Sequence, residues 1–250
     1  MLRRLVQNSL AACGYEFHKV FPHTYFDDGL RTTHDSSFTT DPKFHAAYQH
    51  GKDLTPTQKV HQGPWRAHVA TWAASTALRR EGDFVECGVW MGFVSSVAMT
   101  YINWNNIAGN RKFYLVDSFE GLSETLITDE ERKTGTHKTY GDSYAGALER
   151  AKETTKEFKN VEIVKGFVPD VLNSVKTDKV AYLHLDMNAA IPEAEALKFF
   201  WPKMSNGGVV LFDDYAYAGY KPQKVALDDV ADALGFSILA LPTGQGIVIK

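Results

Sequence analysis

The sequence predicts an α/β protein built on a doubly wound, mostly parallel sheet. Three observations carry that reading. From residue 82 onward, short apolar runs alternate with helical patterns of crossover size. Several of those runs end in glycine or an acid, as strands feeding a ligand-binding rim do. The run 82–87 enters a turn with two glycines, Gly88 and Gly92, and a helical pattern over 93–101 follows at once. At 250 residues the chain accommodates one such domain and an N-terminal segment, without length for a second complete domain.

Taken in order, residues 1–80 differ from the rest and are read as a helical and loop extension to a domain spanning 81–250. Arg3 and Arg4 precede an apolar stretch broken by Gln7 and Asn8, which reads as an amphipathic helix and not as a signal peptide or membrane span. Residues 23–41, rich in Asp, Thr, Ser and Gly, read as loop. Val60, Trp65, Val69, Trp72, Ala73, Thr76 and Ala77 recur at helical spacing. They predict a helix or helix pair over 57–79, the longer one begun by Pro64 and packed beside the sheet.

After the first strand and its helix, the apolar run 113–117 is a second strand ending at Asp117. Residues 118–142 form a polar excursion long enough to be functional. A helix over 144–158, a strand over 161–164, a short helix over 168–175 begun by Pro169 and a strand over 180–186 come next. The pattern continues with a helix over 192–204 ended near Asn206-Gly207-Gly208, a strand over 209–213 and a helix over 222–234 stopped by Gly235. Residues 236–241 and 246–250 close the chain as a strand pair, one of them antiparallel to the sheet.

Composition narrows the function classes. A formal charge of −3 with both signs interspersed provides no basic stripe, so nucleic acid is not an expected partner. Cys13 and Cys87 form neither a disulfide framework nor a zinc or redox pair. The expected setting is cytoplasmic, with no membrane association, and self-association into a homo-oligomer stays open.

The sites follow from the strand ends. Glu86, Gly88 and Gly92 form a strand-to-helix turn of the kind that seats an adenosyl cofactor, because glycine admits close approach and the new helix offers free N–H groups. The spacing is not G-x-G-x-x-G. Asp117 can accept from a ribose diol and Phe119 can pack near an adenine; Trp90 and Ser118 complete the candidate cofactor set. Asp186, Asp213 and Asp214 fall at neighbouring strand ends, where hard oxygen donors can hold Mg²⁺ or Ca²⁺. Strand alternation places His184, Asp186 and Asn188 on one face. His184 reads first as a satisfied buried histidine and second as a proton acceptor. Capping of a loop is the plain alternative for Asp213 and Asp214. No G-x-S-x-G elbow is present.

These stretches resemble the macrocin O-methyltransferase family, class I S-adenosylmethionine-dependent enzymes related to the mycinamicin and novobiocin sugar methyltransferases. The resemblance rests on 82–90, on 116–122, on Leu185-Asp186 with the helix after it, and on 205–209 through Asp213-Asp214-Tyr215. It implies a seven-stranded, Rossmann-like fold with S-adenosylmethionine contacted by Glu86, Gly88 and Asp117, and Mg²⁺ held by Asp186, Asp213 and Asp214. The implied reaction is O-methylation of a small-molecule hydroxyl on a sugar or polyol-bearing natural product. One departure stands out. The family's second acid, a proposed general base two residues after the first, is Asn188 here, and an amide cannot take a proton at neutral pH. Asp186, Asn188 and His184 are therefore carried as the catalytic set. An NAD-dependent oxidoreductase and a non-catalytic S-adenosylmethionine-binding protein are the alternatives.

Overall fold

The computed structural model describes residues 24–55, 63–135 and 144–250, together with Val6, Leu10, Ala12 and Cys13. The predicted N-terminal amphipathic helix lies largely outside the described residues, as does Val60. The chain divides into a unit of residues 1–36 and a larger unit of residues 37–250.

In the first unit, strands β1 (Tyr25–Asp27) and β2 (Leu30–Thr32) pair antiparallel. The sequence reading of this region as loop is corrected: Asp28 and Gly29 both take positive φ, 46° and 72°, the conformation a two-residue hairpin turn needs.

The larger unit opens with helix α1 (Pro42–Leu54), capped by Asp41, whose side chain accepts from the Phe44 N–H. Sequence periodicity does not reveal this helix, because only Phe44, Ala47 and Gly51 are buried along it. Helix α2 (Pro64–Ala77) begins at the predicted proline. There follow β3 (Asp83–Cys87), α3 (Phe93–Tyr101), α4 (Trp104–Ile107) and β4 (Phe113–Asp117). The polar excursion contains a short helix, α5 (Asp129–Thr134), with a Thr128–Glu131 capping box. Next are α6 (Ala147–Thr155), β5 (Val161–Lys165), β6 (Val180–Leu185), α7 (Ala190–Phe200) and β7 (Met204–Phe212). Helix α8 (Lys221–Leu234), ended by Gly235 at φ 76°, leads into β8 (Leu239–Ala240) and β9 (Gly246–Ile249).

Two boundaries differ from expectation. The predicted helix over 168–175 is a turn followed by a 3₁₀ segment, Leu172–Ser174. Asn206-Gly207-Gly208 does not end a helix but lies within β7, where the pairing register with β6 shifts.

The seven strands run β5-β4-β3-β6-β7-β9-β8. All neighbours are parallel except that β9 runs antiparallel to β7 and β8, so one antiparallel strand closes the sheet as predicted. Val85, Val116, Leu185 and Phe212 face α7 and α8 in one core layer. Phe84, Leu115, Tyr182 and Leu211 face the other layer, with α2, α3 and α6. In α2 the buried positions Ala67, Ala70, Ala73, Ala74 and Ala77 recur at helical spacing. Their small side chains let the helix lie close against the sheet, with its first turn at the end where the parallel strands finish. Among the described residues, no helix is long and apolar enough to cross a membrane.

Candidate active site

The register builds the site. Cys87 is level with Val116 on one side and Leu185 on the other, and Leu185 with Phe212. The next residue on each strand is Gly88, Asp117, Asp186 or Asp213, so four candidates stand in one row at the carboxyl ends. The chain order reverses between β3 and β6, the position where doubly wound sheets bind ligands.

Asp117 anchors the cofactor side. Its Oδ2 accepts from the N–H groups of Val89 at 2.6 Å and Trp90 at 2.8 Å, and its Oδ1 from Phe119 N–H at 2.6 Å. Burial raises its pKa against these hydrogen bonds. Two of these bonds hold the glycine turn, the third holds the turn after β4, and together they leave room for about one more. Trp90 and Phe119 both take positive φ, 49° and 56°. A Cβ on Gly88 would lie 2.0 Å from the Asp186 carbonyl oxygen. Glycine is therefore required there by the packing of two strand ends.

Beside this turn, a cleft is lined by Gly88, Asp117 and Ser118 together with residues sequence reasoning did not name, among them Leu126, Val168 and Met187. The excursion after β4 supplies one wall, and its unusual length was the signal available. Glu86, Trp90, Gly92 and Phe119 do not line the cleft. Phe119 is buried in the core layer facing α2 and α3, and Gly92 takes φ 83° to start α3.

Glu86 and His184 are paired across β3 and β6, both almost wholly buried. His184 Nδ1 lies 3.7 Å from Glu86 Oε1, and its Nε2 lies 3.6 Å from Asp213 Oδ1. His184 is buried as expected; neither nitrogen comes within hydrogen-bonding distance of a partner, and the two acids face it at ion-pair distance instead. Burial opposes its protonation, yet Asp213 and Glu86 outweigh that and raise its pKa well above the usual imidazole value. Burial likewise raises Glu86, with His184 opposing.

The acidic end is charged and crowded. Burial first, then the charges of Asp213 and Asp214, push Asp186 well above the ordinary carboxylate range. Burial opposes ionisation of Asp213, but Arg66 and His184 prevail and hold it well below that range. Arg66, from the first turn of α2, donates to Asp213 Oδ2, to the Asp213 carbonyl at 2.8 Å and to Asp214 Oδ1 at 2.8 Å. Gln245 Nε2 donates to Asp213 Oδ1 at 2.8 Å. Arg66 and Gln245 were not identified from the sequence, being 147 and 32 residues from Asp213. Asn188 does not continue the strand face, since β6 ends at Leu185 and Asn188 takes φ 55°. Its amide sits 3.5 Å from Asp186 Oδ1.

The donor set fits a divalent cation. One ligand atom each from His184, Asp186 and Asp213 lies within 4.8 Å of the others; a positive charge placed there favours the ionised form of Asp186 and the neutral, ligating form of His184. Asp214 stands beside this triad.

Comparison with known proteins agrees with this architecture. The profile of the macrocin O-methyltransferase family (TylF) matches residues 23–233. The chain belongs to the macrocin O-methyltransferase family. A tetracenomycin-C rhamnosyl 4'-O-methyltransferase from Streptomyces olivaceus is 30% identical over 54% of this chain and 53% of its own. Demethyldecarbamoylnovobiocin O-methyltransferase from Streptomyces niveus is 28% identical over 61% of this chain and 62% of its own. The alignments thus span little more than half of these relatives. The solved structure of the O-methyltransferase NovP superposes with a TM-score of 0.72 at 19% identity, over 86% of this chain and 99% of that one, which establishes the shared fold.

Proposed function

We propose that this protein is an S-adenosylmethionine-dependent O-methyltransferase that methylates a hydroxyl of a glycosylated small molecule, assisted by a divalent cation, Mg²⁺ being the natural choice for oxygen donors. The observation that carries the reading is the row of strand ends that sets Gly88 and Asp117, at the cleft, level with Asp186 and Asp213. The acceptor class follows from the two relatives, whose names specify a rhamnosyl-tetracenomycin and a novobiocin precursor.

The cofactor supplies an electrophilic methyl group, and the cation supplies Lewis-acid lowering of a hydroxyl pKa. Everything else falls to the chain. Asp117 takes one ribose hydroxyl with its remaining acceptor capacity, while Gly88 and Ser118 line the cleft and its apolar wall excludes water. Glu86 acts from behind the cleft, through His184, and Trp90, Gly92 and Phe119 shape the turn. Asp186, Asp213 and Asp214 would provide the cation's oxygens, and His184 Nε2 could add a nitrogen donor once a ring proton is displaced. Asn188 hydrogen-bonds and orients; it does not take the acceptor's proton. His184 is sealed from solvent between two acids, so Asp186, partly exposed at the rim, is the carboxylate placed to receive that proton. Alignment of acceptor and methyl group is the main catalytic contribution.

Titration of the protein with S-adenosylhomocysteine in a calorimeter tests the cofactor assignment, and an absence of binding refutes it. Asp213→Asn should lower metal-stimulated transfer to a sugar acceptor by at least about 100-fold while leaving cofactor binding intact. Binding of cofactor with no transfer to any hydroxylated acceptor would point instead to a non-catalytic binding protein.

A further inference from the structure

The acidic rim is already engaged by a cation of the chain's own. Arg66 contacts Asp213 Oδ2, the Asp213 carbonyl and Asp214 Oδ1 at once, with its side chain only 17% exposed. Gln245 occupies Asp213 Oδ1 at 2.8 Å. Each carboxylate oxygen of Asp213 thus already accepts one bond and keeps room for another, but the guanidinium on Oδ2 places a full positive charge where a divalent ion would sit. Gln245 is buried, neutral and also tied to Thr243, whose hydroxyl donates to Gln245 Oε1 at 2.9 Å. Arg66 is positively charged, repels an incoming cation a few ångströms away, and projects from the first turn of a helix on a long flexible stem. It is the donor that yields.

A second seat is at hand. The Arg66 guanidinium carbon lies 6.0 Å from the ring centroid of Tyr217, within reach of a cation–π contact, and Tyr217 is 38% exposed. The unpartnered, fully buried His184 Nε2 faces Asp213 at 3.6 Å, marking the cluster as a ligand site and not merely a group of surface acids.

We infer that Arg66 is an internal competitor for the divalent cation, holding Asp213 and Asp214 while no metal is bound and leaving them when it binds. This rests on the metal-assisted reading above. It makes Arg66 a positioning residue: it bridges the two carboxylates and keeps them aimed, so the rim does not depend on metal to form, and it sets the metal concentration at which the site fills. Replacement of the fork by a smaller ammonium weakens the competition, because lysine cannot bridge two carboxylates in the planar bidentate manner of arginine.

Mn²⁺ alone, titrated into the full chain and followed by calorimetry and by electron paramagnetic resonance, reads metal affinity without reference to turnover. The expected order is Arg66→Gln tightest, at least about tenfold tighter than the native chain, with Arg66→Lys between them. S-adenosylhomocysteine binding checks that each variant is folded. If Arg66→Gln does not fold, the native chain still decides: the Arg66 guanidinium ¹⁵N signals, assigned by their loss in Arg66→Lys, should shift on saturation with Mg²⁺. Equal or weaker Mn²⁺ binding in folded Arg66→Gln, or metal binding with those signals unmoved, overturns the competitor role and leaves the metal-assisted reading standing. Failure of native chain and variants alike to bind Mn²⁺ overturns both.

Discussion

Glu193 lies in the first turn of α7 with none of its surface exposed. Its Oε1 accepts from Met187 N–H at 2.8 Å and its Oε2 from Gln223 Nε2 at 2.5 Å. Burial, then the charge of Asp214, raise its pKa from 4.5 to about 8. Folded protein thus binds a proton that unfolded chain has released between these values, so this residue's contribution is fully present below about pH 4.5 and is lost as pH rises through 8, at about 1.4 kcal/mol per pH unit. Glu193→Gln removes that dependence. A flipped Gln223 amide, whose Oε1 now lacks a partner, receives the new N–H. Urea denaturation at pH 5 and pH 8.5 should show the variant gaining stability relative to the native chain at the higher pH; an unchanged difference between the two pH values contradicts the assignment. None of this is legible in the sequence, because Gln223 is 30 residues away and burial is a tertiary property. Asp117, Asp186 and Asp213 were legible for the opposite reason: each is the acid terminating an apolar run, and register then brings them together.

At the scale of elements, strongly periodic segments are read well and weakly amphipathic ones are missed. Helix α3 spans the predicted 93–101, since its apolar face is continuous after a glycine turn. Helix α1 escaped notice because its contact with α3 uses Gly51, where a Cβ would sit 2.5 Å from Val97 Cγ2; close approach replaces large apolar side chains as the signal. The excursion after β4 was singled out by length alone, and α5 shows what secures it. Glu131 Oε2 accepts from Thr128 N–H at 2.7 Å, while Oε1 accepts from Ala190 N–H at 2.7 Å, at the start of α7. One carboxylate thereby caps its own helix and sits favourably at the positive end of another. Leu122, Leu126 and Ile127, just before it, line the cleft. Glu131→Ala should therefore raise the dissociation constant for S-adenosylhomocysteine by roughly five- to tenfold, in line with about 1 kcal/mol for a lost cap. Stopped-flow measurement should place the change in the off-rate, and an unaltered off-rate would show that this wall of the cleft needs no such latch.

For the whole molecule, the decisive feature is that the cleft joins both halves of the sheet. Its lining comes from the ends of β3 and β4, from the excursion, from the segment after β5 and from the turn between β6 and α7. The acidic rim adds β7 on one side and Arg66 of α2 and Gln245 beside β9 on the other. A ligand in the cleft therefore contacts segments that must all be in place together, and it binds the folded chain alone. S-Adenosylhomocysteine at 100 times its dissociation constant should stabilise the protein by about 2.7 kcal/mol, a rise in melting temperature on the order of 5 to 10 °C for a chain of this size. A divalent cation and a chelator behave differently. Because Arg66 already bridges Asp213 and Asp214 and offsets part of their charge, treatment with a chelator should leave the melting temperature within about 2 °C of the untreated protein, whereas in Arg66→Gln the same treatment should lower it distinctly. Scanning calorimetry of the native chain and the variant, each with chelator and with Mg²⁺, makes the comparison. A large chelator-induced loss in the native chain would mean that the acidic rim relies on metal for its stability, and the internal counter-charge would then be insufficient to hold it.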